Sequence, residues 1–304
     1  RERVPEPAPL VMVGYSNGGA LTVDYAIASL ERADLPRPAA LALFSPMIGV
    51  SAMAEVTRLY PLVARISGQE KIAWQHIDAE IDPFKYSSWP MNASLQAWRV
   101  TQRVEKDLAR MQKSGAMAEF PPVIAIQSAV DATVKVPLLI ERLFDRLPAN
   151  GSELALFDID RTGLQGELLK TKFEAAIRER LDRPALPFAL TLVTNANEAT
   201  PELVVRRWRG VRGESTEAPL GLAWPAGVFS LSHLAMPIRA DDPVYGTAEA
   251  TAATGLGLGS LSLRGESGAL AIADGTLLRQ RNNPFYGFTE DLVIDWLSRT
   301  AGAP

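Results

Sequence analysis

A short apolar run that leads directly into a glycine-rich turn constrains this chain more than any other feature. Residues 10–13 (Leu-Val-Met-Val) predict a buried strand, and residues 14–19 (Gly-Tyr-Ser-Asn-Gly-Gly) follow at once. Small residues two positions before and after Ser16 permit a sharp turn, because they remove Cβ atoms that would clash there. Apolar residues at helical spacing over 18–31 predict that a helix follows. Ser16 therefore lies at a strand-to-helix turn and is a candidate nucleophile.

The composition excludes several other kinds of chemistry. The 304 residues include no cysteine and two histidines, so cysteine nucleophiles and thiolate metal sites are excluded and a multi-histidine metal site is implausible. We expect no cofactor and no metal. The formal net charge of −4 provides no basic field to hold nucleic acid. The basic cluster at 206–209, with Arg212, is predicted to lie on an exposed strand edge.

The localisation stays open at this stage. The sequence contains no apolar run of 18 residues or more, which argues against a membrane span. The first residue is Arg1, so we expect that an N-terminal targeting region is absent from this sequence.

Four apolar segments predict the strands of a sheet, at 10–15, 40–45, 122–128 and 153–158. The helix between the first two gives the βαβ arrangement of a parallel sheet. Each segment ends at a polar residue, and sites in open α/β sheets gather at the carboxyl ends of the strands. The predicted class is therefore α/β, with a mostly parallel sheet flanked by helices.

The chain divides into three predicted regions. Residues 1–46 form a core with the serine turn. Residues 47–120 are too long for a simple crossover and predict a mostly helical lid, with a loop at 82–93 at the site entrance. Residues 121–304 return to the core and include an insertion at about 162–220. Smaller predicted elements are an amphipathic segment at 164–181, strands at 188–194 and 203–208, a loose hairpin at 251–275 and a helix at 287–298.

A serine nucleophile needs a base that takes its proton and an acid that orients the base. His233 follows an apolar run and precedes a break at Pro237, so a loop would present it, and we take it as the base. His76 lies in the predicted lid, where it either contacts substrate or is structural.

Two aspartates compete for the role of the acid. Asp131 follows the third predicted strand directly, and Asp158 ends the fourth. Asp131 has a second interpretation as the cap of a helix predicted at 136–147. The chain order Ser, Asp, His is typical of hydrolases with a nucleophile elbow.

With these motifs the chain resembles the α/β-hydrolase superfamily, and more closely bacterial serine esterases and lysophospholipase-like members with a helical lid. The segments that carry the resemblance are 14–19, 44–46, 130–134 and 232–233. The resemblance implies an α/β-hydrolase fold with Ser16 as nucleophile, Asp131 as acid and His233 as base. It also implies that the backbone N–H of Asn17 is one oxyanion donor.

The sequence departs from this family in two respects. Several strands precede the elbow in the family, whereas here the elbow begins at residue 14, so the early strands and a second oxyanion donor are expected to be missing. Either a companion chain supplies those strands or another segment replaces them. The gap between Asp131 and His233 is longer than usual, which fits an insertion and keeps Asp158 open as the acid.

The implied activity is hydrolysis of a carboxylic ester through an acyl-enzyme. An apolar lid favours a lipid or another hydrophobic acyl ester as the small-molecule substrate. An amidase or an acyltransferase would use the same residues. A binding or scaffold subunit that keeps the fold without turnover is the rival from another class, since fold does not fix function. The expected partners are the substrate and the companion chain, with no nucleic acid.

Overall fold

A computed structural model describes residues 8–48, 70–80, 82, 84, 86–131, 133–162, 177, 179–211, 215–252, 261–263 and 278–302. The strands within these ranges are β1 (Val11–Tyr15), β2 (Ala40–Phe44), β3 (Trp74–His76), β4 (Trp89–Pro90), β5 (Val123–Ser128), β6 (Glu153–Phe157), β7 (Ala185–Asn197), β8 (Thr200–Val211), β9 (Ser215–Ala223), β10 (Leu261–Leu263) and β11 (Leu278–Gln280). The α-helices are α1 (Asn17–Glu31), α2 (Met91–Ser114), α3 (Val136–Arg142), α4 (Ala248–Ala252) and α5 (Tyr286–Thr300). Short 3₁₀ turns lie at Glu70–Ala73, Ala116–Glu119 and Phe144–Arg146.

The main sheet of the described residues is mixed, with the strand order β1-β2-β5-β6-β7-β8-β9. The strands from β1 to β7 in this order pair in parallel, and β8 and β9 continue the sheet as antiparallel strands. Parallel neighbours need long crossovers, which carry the helices, whereas antiparallel neighbours are joined by short turns. The α/β class predicted from the sequence is confirmed in this form, as a mixed sheet with flanking helices.

Both faces of the parallel part of the sheet are buried. β2, β5 and β6 are almost continuously apolar, as strands covered on both faces must be. One face packs against α1, α2 and α3, and the other packs against α5. Trp296 of α5 is fully buried, and its indole N–H donates to the carbonyl of Gly151 at 2.8 Å. Helices therefore cover both faces of the sheet, and the Trp296 bond holds α5 against the turn that precedes β6.

Helix α2 belongs to the core, which corrects part of the predicted lid. Val104, Leu108 and Met111 are buried in the same cluster as the inner face of α1. The guanidinium of Arg103 pairs with the carboxylate of Asp24 and ties the two helices together. Residues 49–69 lie outside the described part of the chain, so a lid there stays a prediction.

The loop predicted at 82–93 ends earlier than expected. Trp89 and Pro90 form β4, which pairs with β3, and α2 begins at Met91. The hydroxyl of Tyr245 donates to the carboxylate of Asp82, with both oxygens at 2.6 Å. Burial and the bond to Asp82 raise the pKa of Tyr245 above its ordinary value. This bond ties the loop to the segment that follows His233.

The range predicted as an insertion contains strands of the main sheet. β7 pairs in parallel with β6, and β8 and β9 follow it. The basic cluster at 206–209 lies on β8, between β7 and β9, so its predicted place on a sheet edge was wrong. Arg206 pairs with Glu217 of β9 at 2.6 Å. Most of the amphipathic segment predicted at 164–181 lies outside the described residues.

The last predicted elements are found near their expected positions. The helix predicted at 287–298 is the core of α5. β10 and β11 pair as an antiparallel ladder, while 253–260 and 264–277 lie outside the described residues. No helix in the described ranges has both the length and the apolar character that a membrane crossing requires.

β1 is an edge strand of the described sheet. The carbonyl of Leu10 accepts from Ala39 N–H and Ser16 N–H donates to Phe44, so the even-numbered residues face β2. The direction of the backbone N–H and C=O groups alternates along a strand, so those of Val11, Val13 and Tyr15 point away from β2. Val13 is 66% exposed there.

Candidate active site

The turn between β1 and α1 holds Ser16 in a sparsely populated backbone conformation. Its φ is 52° and its ψ is −120°, and Ser45 is the other non-glycine residue of the described chain with a positive φ. Such conformations persist where the surrounding structure fixes them. Ser16 N–H donates to the Phe44 carbonyl at 2.9 Å, and the Ser16 carbonyl accepts from Met47 N–H at 2.8 Å. The end of β2 therefore fixes the turn.

The glycines around Ser16 contribute unequally to this turn. A Cβ on Gly14 would lie 2.6 Å from Thr22 Oγ1, and one on Gly19 would lie 2.7 Å from the Cβ of Pro46. A Cβ on Gly18 would meet nothing within 4 Å. The sequence argument assigned the steric role to the residues two before and two after the serine. It was right for Gly14, whereas Gly19 has the role that was assigned to Gly18.

The hydroxyl of Ser16 points to histidine and not to the helix that it precedes. Serine at the N-cap of a helix usually accepts a bond from a backbone N–H of the first turn. Ser16 is the N-cap of α1, yet it makes no such bond. Its Oγ lies 2.9 Å from Nε2 of His233. The serine is partly exposed, so a reagent can reach it from solvent.

His233 is 4% exposed, and its loop is held to the sheet on one side and to β1 on the other. Ser230 bridges Ile159 beyond the end of β6, and the Phe229 carbonyl accepts from Asp160 N–H at 2.8 Å. Tyr15 donates its hydroxyl to the His233 carbonyl at 3.3 Å, with the two rings 5.3 Å apart. These contacts orient the imidazole between Ser16 and the end of β5.

The carboxylate of Asp131 bonds to the ring nitrogen of His233 that faces away from Ser16. Nδ1 of His233 lies 2.8 Å from Asp131 Oδ2, and since a carboxylate only accepts, Nδ1 carries the proton. Nε2 is then free to accept the Ser16 proton. The other oxygen, Oδ1, accepts from the backbone N–H groups of Thr133 and Val134 at 2.7 and 2.9 Å. Helix α3 has Lys135 as its N-cap, so the interpretation of Asp131 as a helix cap was wrong.

Asp158, the alternative acid, and His76, the other histidine, do not contact this chain of hydrogen bonds. Asp158 makes two bonds to the guanidinium of Arg161 at 2.6 and 2.9 Å and accepts from Thr194 Oγ1 at 2.7 Å. His76 is exposed on β3, with its Nε2 3.0 Å from the Ser87 carbonyl. The arrangement at the carboxyl ends of β1 and β5 thus joins Ser16, His233 and Asp131.

Asn17 is the first residue of α1 and directly follows Ser16. The first four N–H groups of a helix lack an intrahelical acceptor, and the helix dipole favours negative charge near them. The predicted oxyanion donor is therefore in a suitable place. The side-chain Oδ1 of Asn17 is buried without a hydrogen-bond partner among the described residues.

Two neighbours of the site were missed in the sequence analysis. Gln127 donates its amide N–H to Asp131 Oδ2 at 2.8 Å, and Tyr15 contacts His233 as described above. A signal for Gln127 was present, since it is a lone amide after four apolar residues of β5. Within the described ranges, no group of three or more His, Cys, Asp or Glu side chains could hold a metal ion.

Comparisons with known proteins give limited similarity. No protein-family model matches the chain, and no curated protein sequence matches it. Among the solved structures that match is a soluble variant of monoglyceride lipase from Saccharomyces cerevisiae in complex with a substrate analog, with 19% sequence identity and a TM-score of 0.33. The match covers 49% of this chain and 53% of the lipase chain, so the chain spans about half the length of that protein. A likeness at this level assigns no activity.

Proposed function

We propose that this protein is a serine hydrolase of the α/β-hydrolase type that cleaves carboxylic esters through an acyl-enzyme. The observation that carries the proposal is the continuous hydrogen-bonded chain from Ser16 Oγ through the His233 ring to Asp131, with distances of 2.9 and 2.8 Å. These distances lie within the range that proton transfer from a nucleophile to its base requires.

The proposed reaction has two halves. Ser16 Oγ attacks the ester carbonyl carbon while Nε2 of His233 takes its proton, and Asp131 stabilises the imidazolium. The carbonyl oxygen becomes an oxyanion, to which Asn17 N–H donates. His233 then gives its proton to the leaving alcohol, which leaves an acyl group on Ser16. Water attacks this group with the same base and releases the acid.

We propose a hydrophobic acyl group for the substrate, such as that of a lipid. Ile77, Phe84 and Tyr86 are large apolar side chains exposed in the segment that follows β3. We propose that Phe84 and Tyr86 contribute to the binding of the acyl group. Hydrolysis rates for p-nitrophenyl esters of increasing chain length test this, with Phe84→Ser and Tyr86→Ser as variants. Equal loss on acetate and dodecanoate esters would contradict a role in acyl binding, whereas selective loss on the long chain supports it.

Reaction with a fluorophosphonate tests whether Ser16 is activated. We expect a single adduct at Ser16, mapped by mass spectrometry, that is lost in Ser16→Ala and in His233→Ala. Ser45→Ala is the matched control, because Ser45 also has a positive φ at the end of the neighbouring parallel strand, but its buried Oγ has no partner among the described residues. We expect that variant to label normally. Folded protein that does not label would favour the non-catalytic binding subunit.

A turnover assay separates ester hydrolysis from the other acyl reactions, which labelling does not. Amide hydrolysis and acyl transfer to an alcohol also proceed through an acylated serine. Turnover of an ester and its amide analogue, with and without an added alcohol, distinguishes the three. The proposal expects the ester to react fastest and water to be the acceptor.

We further propose that a companion polypeptide segment adds a strand to the outer side of β1. β1 carries no charged residue, and charges are a usual protection of exposed edges. The backbone N–H and C=O of Val13 point to this outer side, where an added strand would pair with them. Hydrogen exchange tests this: the companion should slow exchange at Val13 N–H, while Met12 N–H, which faces β2, is slow with or without it. Unchanged exchange at Val13 in the presence of the companion would contradict the proposal.

A further inference from the structure

Gln127 is a buried amide in a strand that is otherwise built for an apolar core. The preceding four residues of β5 are valine, isoleucine, alanine and isoleucine, and Gln127 itself is 0% exposed. Burying an amide is unfavourable unless its donors and acceptor are bonded. The position therefore needs an explanation that packing alone does not provide.

The hydrogen bonds of Gln127 satisfy only one end of the amide. Nε2 donates to Asp131 Oδ2 at 2.8 Å and to the Val134 carbonyl at 3.2 Å. Oε1 is buried with no hydrogen-bond partner among the described residues. The reverse orientation would place Oε1 against two acceptors, so the chemistry of the neighbours fixes the nitrogen toward Asp131. An apolar residue of similar shape would leave no unpaired acceptor at this position.

Gln127 bonds to the same oxygen of Asp131 that accepts the imidazole N–H. Oδ2 of Asp131 accepts from both Gln127 Nε2 and His233 Nδ1, each at 2.8 Å. Oδ1 is already held by the two backbone N–H groups of the following turn. The amide thus supplies the constraint on Oδ2 that the backbone does not, and its second bond joins it to the turn at Val134.

We infer that Gln127 is a positioning residue, which acts through Asp131 to hold the His233 ring with its proton on Nδ1. With Oδ2 fixed by Gln127, the carboxylate presents its remaining lone pair to Nδ1–H. The ring then keeps Nε2 unprotonated and directed at Ser16. The catalytic consequence rests on the proposed function, because it requires that Ser16 is the nucleophile.

Gln127→Met tests the inference with little change in side-chain length. Methionine keeps the packing but removes the donor to Asp131. Ser128→Ala is the matched control on the next residue of β5, because Ser128 is equally buried and its Oγ has no partner among the described residues. Loss of a hydrogen bond to a charged group should slow fluorophosphonate labelling at Ser16 about tenfold to hundredfold. We expect Ser128→Ala to label within about twofold of the unsubstituted protein.

A spectroscopic measurement separates positioning from a loss of stability. The chain contains two histidines, so a protein with ¹⁵N-labelled histidine gives two pairs of ring-nitrogen signals, and His76→Gln assigns each pair to its residue. We expect the neutral His233 ring to carry its proton on Nδ1 in the unsubstituted protein. In Gln127→Met, exchange of this proton with solvent should accelerate about tenfold or more, or the tautomer should change.

The two readouts distinguish the two proposals. Absence of labelling in the folded, unsubstituted protein would refute the proposed function, while the imidazole spectra would still decide the role of Gln127. Unchanged exchange and tautomer in Gln127→Met would overturn the inference, whatever the labelling shows. If that variant does not fold, Gln127→Glu keeps the shape and sets a carboxyl group against Asp131. It should perturb the Nδ1 proton, and an unperturbed spectrum would overturn the inference.

Discussion

Replacement of Asp131 by asparagine tests the proposed catalytic chain most directly, because it keeps the shape of the side chain. The structure determines how the new amide is oriented. The N–H groups of Thr133 and Val134 lie 2.7 and 2.9 Å from Oδ1 and need an acceptor there. The amide oxygen therefore occupies the Oδ1 position, and the amide nitrogen takes the place of Oδ2.

This orientation reverses the protonation of His233. The amide nitrogen donates to Nδ1, so the neutral ring must carry its proton on Nε2, which faces Ser16 Oγ at 2.9 Å. A protonated Nε2 cannot accept the serine proton. The fold should survive the change, because asparagine keeps the shape of the side chain and the bonds from Thr133 N–H and Val134 N–H.

The expected loss in rate is large. An acid-to-amide replacement with this consequence for the tautomer lowers kcat about 10⁴-fold in a serine protease triad. We expect a similar factor for Asp131→Asn, which corresponds to about 5.4 kcal/mol in the barrier. The measurement is kcat/KM for a p-nitrophenyl ester together with the labelling rate at Ser16, with a thermal melt to verify folding.

Asp158→Asn is the control for this substitution. Asp158 bonds to Arg161 and Thr194 and does not contact His233, so its variant should retain at least half of the activity while its stability falls. The reasoning is refuted if Asp131→Asn retains a tenth or more of the activity of the unsubstituted protein. It is equally refuted if Asp158→Asn loses as much as Asp131→Asn.

Four further substitutions test the packing and the hydrogen bonds of the described fold. Gly19→Ala should destabilise the protein by about 1–3 kcal/mol and slow labelling of Ser16, because the new Cβ would meet Pro46. Gly18→Ala should be neutral or stabilising by up to about 1 kcal/mol, because its Cβ would meet nothing within 4 Å. Equal denaturation midpoints for the two variants would contradict this. Trp296→Ala should lower the free energy of unfolding by about 3–5 kcal/mol, and urea denaturation measures it. Tyr245→Phe should cost about 1 kcal/mol and expose the loop at Asp82 to faster proteolysis, and an unchanged cleavage rate would exclude this bond as its anchor.

The strands of the parallel sheet could be predicted from the sequence because burial on both faces leaves a clear pattern. β2, β5 and β6 are short apolar runs, and their predicted bounds agree with the structure to within one residue. The candidate site residues could also be named early, since two histidines leave little choice of base. The pairing of His233 with Asp131 and not Asp158 required the structure, because both aspartates lie just after the carboxyl ends of neighbouring strands.

The arrangement of the later elements could not be predicted by the same means. The apolar face of α2 has the same periodicity whether it covers a core or a lid, and its packing against α1 decides between them. Strand pairing is a non-local property, so the pattern of β7 did not reveal that it continues the sheet beside β6. The steric role of Gly19 depends on Pro46, which is distant in sequence.

Several features that reduce folding stability occur together at the proposed catalytic chain. Ser16 has a positive φ, which costs of the order of 1–3 kcal/mol, and it forgoes the N-cap bond that a serine at this position usually makes. Gln127 keeps a buried acceptor without a partner among the described residues. Each cost would be relieved by a common substitution, a glycine at residue 16 or an apolar side chain at residue 127. Their occurrence on two sides of one imidazole is more consistent with selection for the geometry of His233 than with selection for stability.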